Sequence, residues 1–150
     1  MSATSEAITL TKLDAARHQL ETAAKLWLES EDPVSIHTLV AAAHRVVHDI
    51  AEHQGSGAVL LDRSRLSEWG YDPKEFKKAI RQAETFFKHA KNDPDESYSF
   101  SPKQTEYIFY SAVECYHRLA PQKSVLLARL LAWFYFRHPE TLSVSAPEFR

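Results

Sequence analysis

The sequence predicts an all-α protein, folded as a compact single-domain bundle of about five helices. Only three of the 150 residues are glycine, and no run alternates Val, Ile and Thr with polar residues as a strand would. Glycine and proline fall instead between segments whose apolar residues recur with helical spacing. Hydrophobic residues make up 44% of the chain and charged residues 25%, values that suit a folded core and argue against disorder throughout.

The first two predicted helices begin at recognisable capping residues. A helix over residues 11–29 begins at Thr11, which forms a capping box with Asp14. A second helix runs from Asp32 to His53, because Asp32 can cap its first turn and Pro33 has no N–H to leave unpaired. We expect residues 58–70, which follow a Gly-Ser-Gly connection, to form a loop with one short helix.

Two of the remaining three predicted helices also begin at capping residues. Asp72 and Pro73 begin a third helix that extends to about Lys91. Ser101 and Gln104 form a second capping box at the start of a fourth helix. The fifth covers residues 122–137. We expect the arm at 1–9 and the tail at 142–150 to be frayed, which leaves a core of about residues 10–140.

The fifth predicted helix is apolar on nearly every side. Its residues include four leucines, a tryptophan, a tyrosine and two phenylalanines, more than one face can hide. It is therefore either the central helix of the bundle or a surface that packs against a second copy. The second alternative predicts a homodimer formed through residues 122–137, since twofold association is the commonest oligomer.

Histidine is the unusual component, with eight residues in the chain and four of them between 37 and 53. Counted at about 100° per residue, His37, His44 and His48 occupy one strip beside the apolar face of the second helix. His44 and His48 are four residues apart, a spacing that lets two imidazoles share one metal ion. A third ligand would come from the next helix or the residues after it, namely Glu84, His89 or Asp93.

Structural or interfacial histidines are the favoured interpretation of this strip, because histidine tolerates partial burial and bonds across helix interfaces. A divalent metal at His44 and His48 is a less favoured alternative, as are acid–base chemistry and a protonation switch. The chain has no Gly-x-Ser-x-Gly, Walker or Gly-x-Gly-x-x-Gly motif. We therefore predict no cofactor.

Two segments resemble a family of small uncharacterised bacterial helical proteins. One is DPVSIHTLVAAAH, from Asp32 to His44, and the other is AETFFKHAKNDP, from Ala83 to Pro94. The resemblance implies no activity, but it points to the polar members of the two segments as a candidate site. These are His37, His44, Lys88, His89 and Asp93, to which the helical strip adds His48.

The FFKHA segment also resembles part of the HEPN ribonucleases, whose site requires an arginine followed, after about four to six residues, by a histidine. Seven residues separate Arg81 from His89, and seven separate Arg45 from His53, so neither pair has that spacing. The resemblance nevertheless suggests a hydrolase as an alternative, either metal-dependent or HEPN-like, that would use His44, His48 and His89.

The net charge and the composition limit which classes of partner the sequence favours. The net charge is −2, which argues against nucleic acid as a partner. A basic patch on the third helix leaves that partner open, although an ordinary solvated face is favoured: Lys74, Lys77, Lys78, Arg81, Lys88 and Lys91. A lone cysteine, the lack of a signal-peptide pattern and an apolar run too short to span a membrane predict a cytoplasmic protein. The leading hypothesis is a binding or dimerisation module without catalytic activity, with a protein partner as one option.

Overall fold

The computed structural model of the chain describes residues 6–55, 66–67 and 69–139. This part contains five long α-helices and no strand, which confirms the predicted all-α bundle. The helices are α1 (Lys12–Leu28), α2 (Pro33–His53), α3 (Pro73–Lys88), α4 (Lys103–Leu119) and α5 (Val125–Arg137). Residues 6–9 of the predicted arm are exposed and non-helical. The rest of that arm, the tail and most of the 58–70 loop lie outside the described residues.

Three helices begin where their capping residues predict. In α1, the Asp14 N–H donates to Thr11 Oγ1 at 3.0 Å, and the Thr11 N–H donates to Asp14 Oδ2 at 2.9 Å. Asp32 accepts from the Val34 N–H in α2, and Asp72 accepts from the Glu75 N–H in α3. Each carboxylate satisfies a first-turn N–H that has no partner within its helix.

The capping box predicted at Ser101 is absent. The N–H of Gln104 lies 3.3 Å from the backbone oxygen of Ser101, and that of Thr105 lies 3.1 Å from the oxygen of Pro102. These tight i→i+3 bonds satisfy the first turn through the backbone, so Pro102 takes the N-cap position and no side chain caps α4. Helix α5 also begins later than predicted, after Ser124, whose Oγ accepts from the Leu127 N–H.

Helix α3 ends at Lys88, three residues before the predicted end near Lys91. His89 leaves the helix with φ −131° and ψ 134°, an extended conformation, and its N–H closes the last turn on the Thr85 oxygen. The chain from His89 onward therefore runs alongside α3 instead of prolonging it. Phe86 of the helix packs against Tyr98 of this returning segment, with ring centroids 5.4 Å apart.

The central helix is α4, so the expectation that the last helix might be central was wrong. Every residue of α4 from 104 to 113 is buried, and α4 contacts all four other helices. Helix α5 lies at the edge, where it buries Leu127, Leu130 and Phe134 against the bundle. Among the described helices, α5 packs mainly against α1 and α4, which leaves its opposite face exposed.

Helices α1 and α2 form the other side of the core. Small residues allow their backbones to approach closely, and Ala23 and Ala24 of α1 are fully buried, as are Val40 and Ala43 of α2. Ser30 joins the two helices in a left-handed conformation, with φ 54°. This junction directs one flank of α2 toward α3 and α4. No described helix is long and apolar enough to cross a membrane.

Candidate functional site

Helices α2 and α3 enclose a groove of about 230 Å³ that contains the two predicted metal ligands. From α2 it is lined by Ala41, His44, Arg45 and His48; from α3 by Lys77, Ile80, Arg81 and Glu84; and Ile108 of α4 completes it. His37 and His89 do not line this groove. The structure therefore brings together two of the four histidines in the predicted site.

The imidazoles of His44 and His48 lie parallel, with ring centroids 6.3 Å apart and an angle of 7° between their planes. His48 Nε2 lies 3.0 Å from Glu52 Oε1. His44 Nε2 and His48 Nδ1 are enclosed and have no hydrogen-bond partner among the described residues. Burial lowers the pKa of His44 to about 4, and the nearby charges of His48 and Arg45 act in the same direction. His44 is therefore a neutral imidazole at physiological pH.

The atoms that could share a metal ion are arranged differently from the prediction. Among the described residues, His48, Asp49 and Glu52 offer ligand atoms that all lie within 4.8 Å of one another. This group keeps His48 and has two exposed carboxylates in place of His44. Such surface carboxylates are solvated in many proteins, so the group supports no metal assignment. A divalent metal at His44 and His48 stays a prediction.

His37 is buried in the core, away from the groove. Its Nδ1 lies 2.8 Å from Thr105 Oγ1 of α4, and its ring meets Phe87 and Phe100 edge-on at 5.7 and 5.1 Å. Burial lowers its pKa to about 4, and the charge of Glu84 opposes the shift. His37 thus joins three segments of the bundle as a neutral imidazole.

The other three predicted site residues are exposed around the end of α3. Lys88 Nζ pairs with Glu84 Oε1 at 2.8 Å, one turn earlier on the same helix. His89 is the residue that ends the helix. Asp93 lines a second groove, on the other side of α3. The six candidate residues therefore do not converge on one cleft.

This second groove, called the basic groove below, lies between α3 and residues 93–98 and encloses about 610 Å³. One wall carries four cations of α3: Lys74, Lys77, Lys78 and Arg81. The other lining residues are Gln82, Thr85, Phe86, Asp93, Glu96, Ser97 and Tyr98. Lys77 and Arg81 also line the first groove, the one that contains His44 and His48, so the two grooves share these two cations.

The cationic wall is not neutralised by its neighbours. The ion pairs among described residues involve other cations, and none of these four is paired with a carboxylate. Lys74 and Lys78 are like charges at i and i+4, as are Lys77 and Arg81, an arrangement that destabilises a helix slightly. Lys74 also lies in the first turn, where the helix dipole disfavours a positive charge. Helix stability therefore does not explain this charge pattern.

Two carboxyl groups face this wall from the returning segment. A hydrogen bond with Asp93, together with the charge of Asp93, raises the pKa of Glu96. The pair therefore retains a proton at a higher pH than separate carboxyl groups would. The groove has four cations against these two acids, which leaves it positive.

Sequence reasoning missed a polar cluster that links Glu106 of α4 to the end of α5. Glu106 of α4 is 8% exposed, and its Oε1 lies 2.9 Å from Arg137 Nε and 2.6 Å from His138 Nε2. The His138 ring stacks on Trp69 with centroids 3.6 Å apart. The signal that could have found this cluster is a glutamate on the apolar side of α4. The cluster fixes the end of α5 to the centre of the bundle.

Comparisons of the chain with protein-family models, with curated proteins and with solved structures find no match. The two family resemblances therefore stay predictions. The features of the structure that bear on function are the two grooves.

Proposed function

We propose that this chain is a cytoplasmic binding module without catalytic activity, and that the basic groove holds a phosphate-bearing ligand. The observation that carries the proposal is the wall formed by Lys74, Lys77, Lys78 and Arg81. Four cations without carboxylate partners line one side of a groove that also exposes two aromatic rings. An anion bound there would relieve the like-charge repulsion along α3.

The residue types suit phosphate. Lysine offers a mobile point charge, and arginine offers a planar fork that matches two oxygens of one phosphate. Phe86 and Tyr98 are half-buried, so their rings provide an apolar surface on which a base or another flat group can stack. A positive groove combined with aromatic rings is the usual arrangement for ligands that carry both phosphate and a planar group.

The arrangement of the histidines favours binding over catalysis. General acid–base chemistry works best with a group that titrates near neutral pH and lies within reach of the ligand. Burial holds the pKa of His44 far below that range. The hydrolase alternative also requires His89 beside His44 and His48, whereas His89 is exposed at the end of α3 and outside their groove.

Fluorescence anisotropy of a fluorescein-labelled oligothymidylate tests the proposal. We expect Lys77→Gln/Lys78→Gln to weaken binding at least about tenfold, and to lower the slope of log K against log salt by about 1–2. The matched control is Lys25→Gln/Lys103→Gln, which removes the same charge from exposed residues outside the groove and outside the basic patch of α3. Asp93→Asn should strengthen binding, because it removes a negative charge that faces the cations.

Competition identifies the form of the ligand. Displacement of the probe by inorganic phosphate or a nucleoside triphosphate indicates a small phosphorylated ligand, whereas displacement only by oligonucleotides indicates a nucleic acid strand. Equal weakening by the groove variant and the control would refute the groove as the site. Cleavage of a labelled RNA strand, abolished by His89→Ala, would support the hydrolase alternative instead.

A further inference from the structure

One stripe of α5 is mostly apolar, with the exposed Arg129 along its edge, and no other described helix covers it. Phe136 is 88% exposed and Val125 is 71% exposed, the two highest values among the large hydrophobic residues of the helices. Ala128 and Ala132 lie between them on the same exposed face. The spacing of 3, 4 and 4 residues places all four side chains on one stripe along the helix. The stripe thus has a large residue at each end and small residues in the middle.

A groove opens beside the Val125 end of this stripe. It encloses about 800 Å³, more than one aromatic side chain requires. Its apolar lining comes from the start of α1, the end of α2 and the α4–α5 turn: Leu13, Ile50, Tyr116, Ala120, Pro121, Val125 and Leu126. We call it the α5 groove. The rest of its lining is polar or charged, including Lys12, Asp14, Arg17 and Glu21. A protruding ring and a groove with a partly apolar lining therefore lie at opposite ends of one helix.

We infer that a second copy of this chain covers α5, with Phe136 of each copy filling the α5 groove of the other. Val125 and Phe136 are eleven residues apart, or about 16 Å along the helix. A twofold axis across the middle of α5 makes the two copies of the helix antiparallel, and it then pairs residue 125 of one copy with residue 136 of the other. Both ring-in-groove contacts form at once, as an isologous interface requires.

The middle and the ends of the helix suit this pairing. Ala128 and Ala132 lie near the axis, where small side chains let two helices approach closely. Antiparallel helices also place the positive N-terminal end of one α5 beside the negative C-terminal end of the other, a favourable arrangement of dipoles. A different protein would need to supply its own ring at the same spacing, whereas a second copy supplies it by symmetry.

The surface area buried between the two copies indicates how tightly the dimer associates. A phenylalanine side chain buries about 150 Å² or more, and the groove that receives it loses a comparable area. Two such contacts and the stripe between them bury on the order of 1,000 Å², at the lower end of the range for specific interfaces. We therefore expect a dimer that dissociates at micromolar concentrations.

Sedimentation equilibrium tests the inference on the full chain. Phe136→Ser should weaken dimerisation about 100-fold, because two buried rings are lost from each dimer. Val125→Asp should weaken it similarly, because a charge then lies at the mouth of both grooves. Val34→Ser is the control, since Val34 is exposed but belongs to α2. Circular dichroism checks that these surface variants keep the helical content of the wild type.

A mixture of the two weakened variants is the decisive measurement. Phe136→Ser keeps an open groove and Val125→Asp keeps the ring, so their heterodimer retains one of the two contacts, whereas each homodimer retains neither. We expect the mixture to associate about tenfold more tightly than either variant alone. A wild-type chain that stays monomeric at several hundred micromolar, or a mixture no tighter than its components, overturns the inference. The basic groove lies on α3, so neither result affects the proposed function.

Discussion

Acidification from pH 7 to pH 5 should destabilise this protein through two buried imidazoles. His37 and His44 each have a pKa of about 4 in the folded chain, against an ordinary value of 6.5. The unfolded chain therefore binds more protons than the folded chain between these two values. Stability is complete above pH 6.5, falls as the pH drops through that window, and levels off below about pH 4.

The magnitude follows from the same two values. At pH 5 the unfolded imidazole is almost fully protonated and the folded one is mostly neutral, which costs about 2 kcal/mol for each histidine. His44 keeps some contact with solvent and His48, Arg45 and Glu84 surround it, so its share is the smaller. We expect about 3 to 4 kcal/mol in total, a large part of the stability of a domain of this size.

Urea unfolding followed by circular dichroism at pH 7, 6 and 5 measures this loss. His37→Asn and His44→Gln replace the imidazoles with amides that do not titrate, and each should remove part of the pH dependence, His37→Asn the larger part. His18→Asn is the control, because His18 is exposed on α1. Equal free energies of unfolding at pH 7 and pH 5 would show that the imidazoles are solvated, and the burial argument would be wrong.

Three further predictions concern single residues. Ser30→Gly should raise the free energy of unfolding by about 0.5–1 kcal/mol, because glycine adopts the positive φ of Ser30 without steric cost; urea unfolding measures it. Thr105→Val should cost about 1–3 kcal/mol in the same assay, since it leaves His37 Nδ1 buried and unpaired. Cys115 is buried with a pKa raised to about 11, so a disulfide reagent should label it only at the rate of unfolding; faster labelling would contradict its burial.

Helix starts were the most predictable part of the fold, because their signals are local. Thr11, Asp32 and Asp72 each accept a hydrogen bond from an N–H within three residues, so each signal is complete within a few residues of sequence. Ser101 failed because the backbone itself offered a second way to satisfy the first turn of α4. A capping-box pattern indicates that a side chain can cap the helix. Whether it does so depends on the hydrogen bonds that the local backbone makes.

Which helix is the most buried was less predictable, because the burial of a helix depends on which other helices pack around it. Helix α5 is the more apolar by composition, yet α4 occupies the centre with Gln104, Thr105 and Glu106 among its buried residues. Partners on other helices compensate two of these polar groups, His37 for the threonine, and Arg137 and His138 for the glutamate. Such partners are distant in the sequence, so the helical pattern of α4 alone does not show that it is central.

The histidine strip shows the same limit at the candidate site. Helical angles place His37 and His44 on one strip of α2, but the rise between them is about 10 Å, and different neighbours pack at the two levels. His37 meets Thr105 and two phenylalanines, whereas His44 faces the groove that α3 lines with Lys77 and Arg81. Lys77 and Arg81 also line the basic groove, so His44 lies beside the two cations that both grooves share. The strip therefore reaches the shared cations at His44 and His48, while His37 stays enclosed in the core.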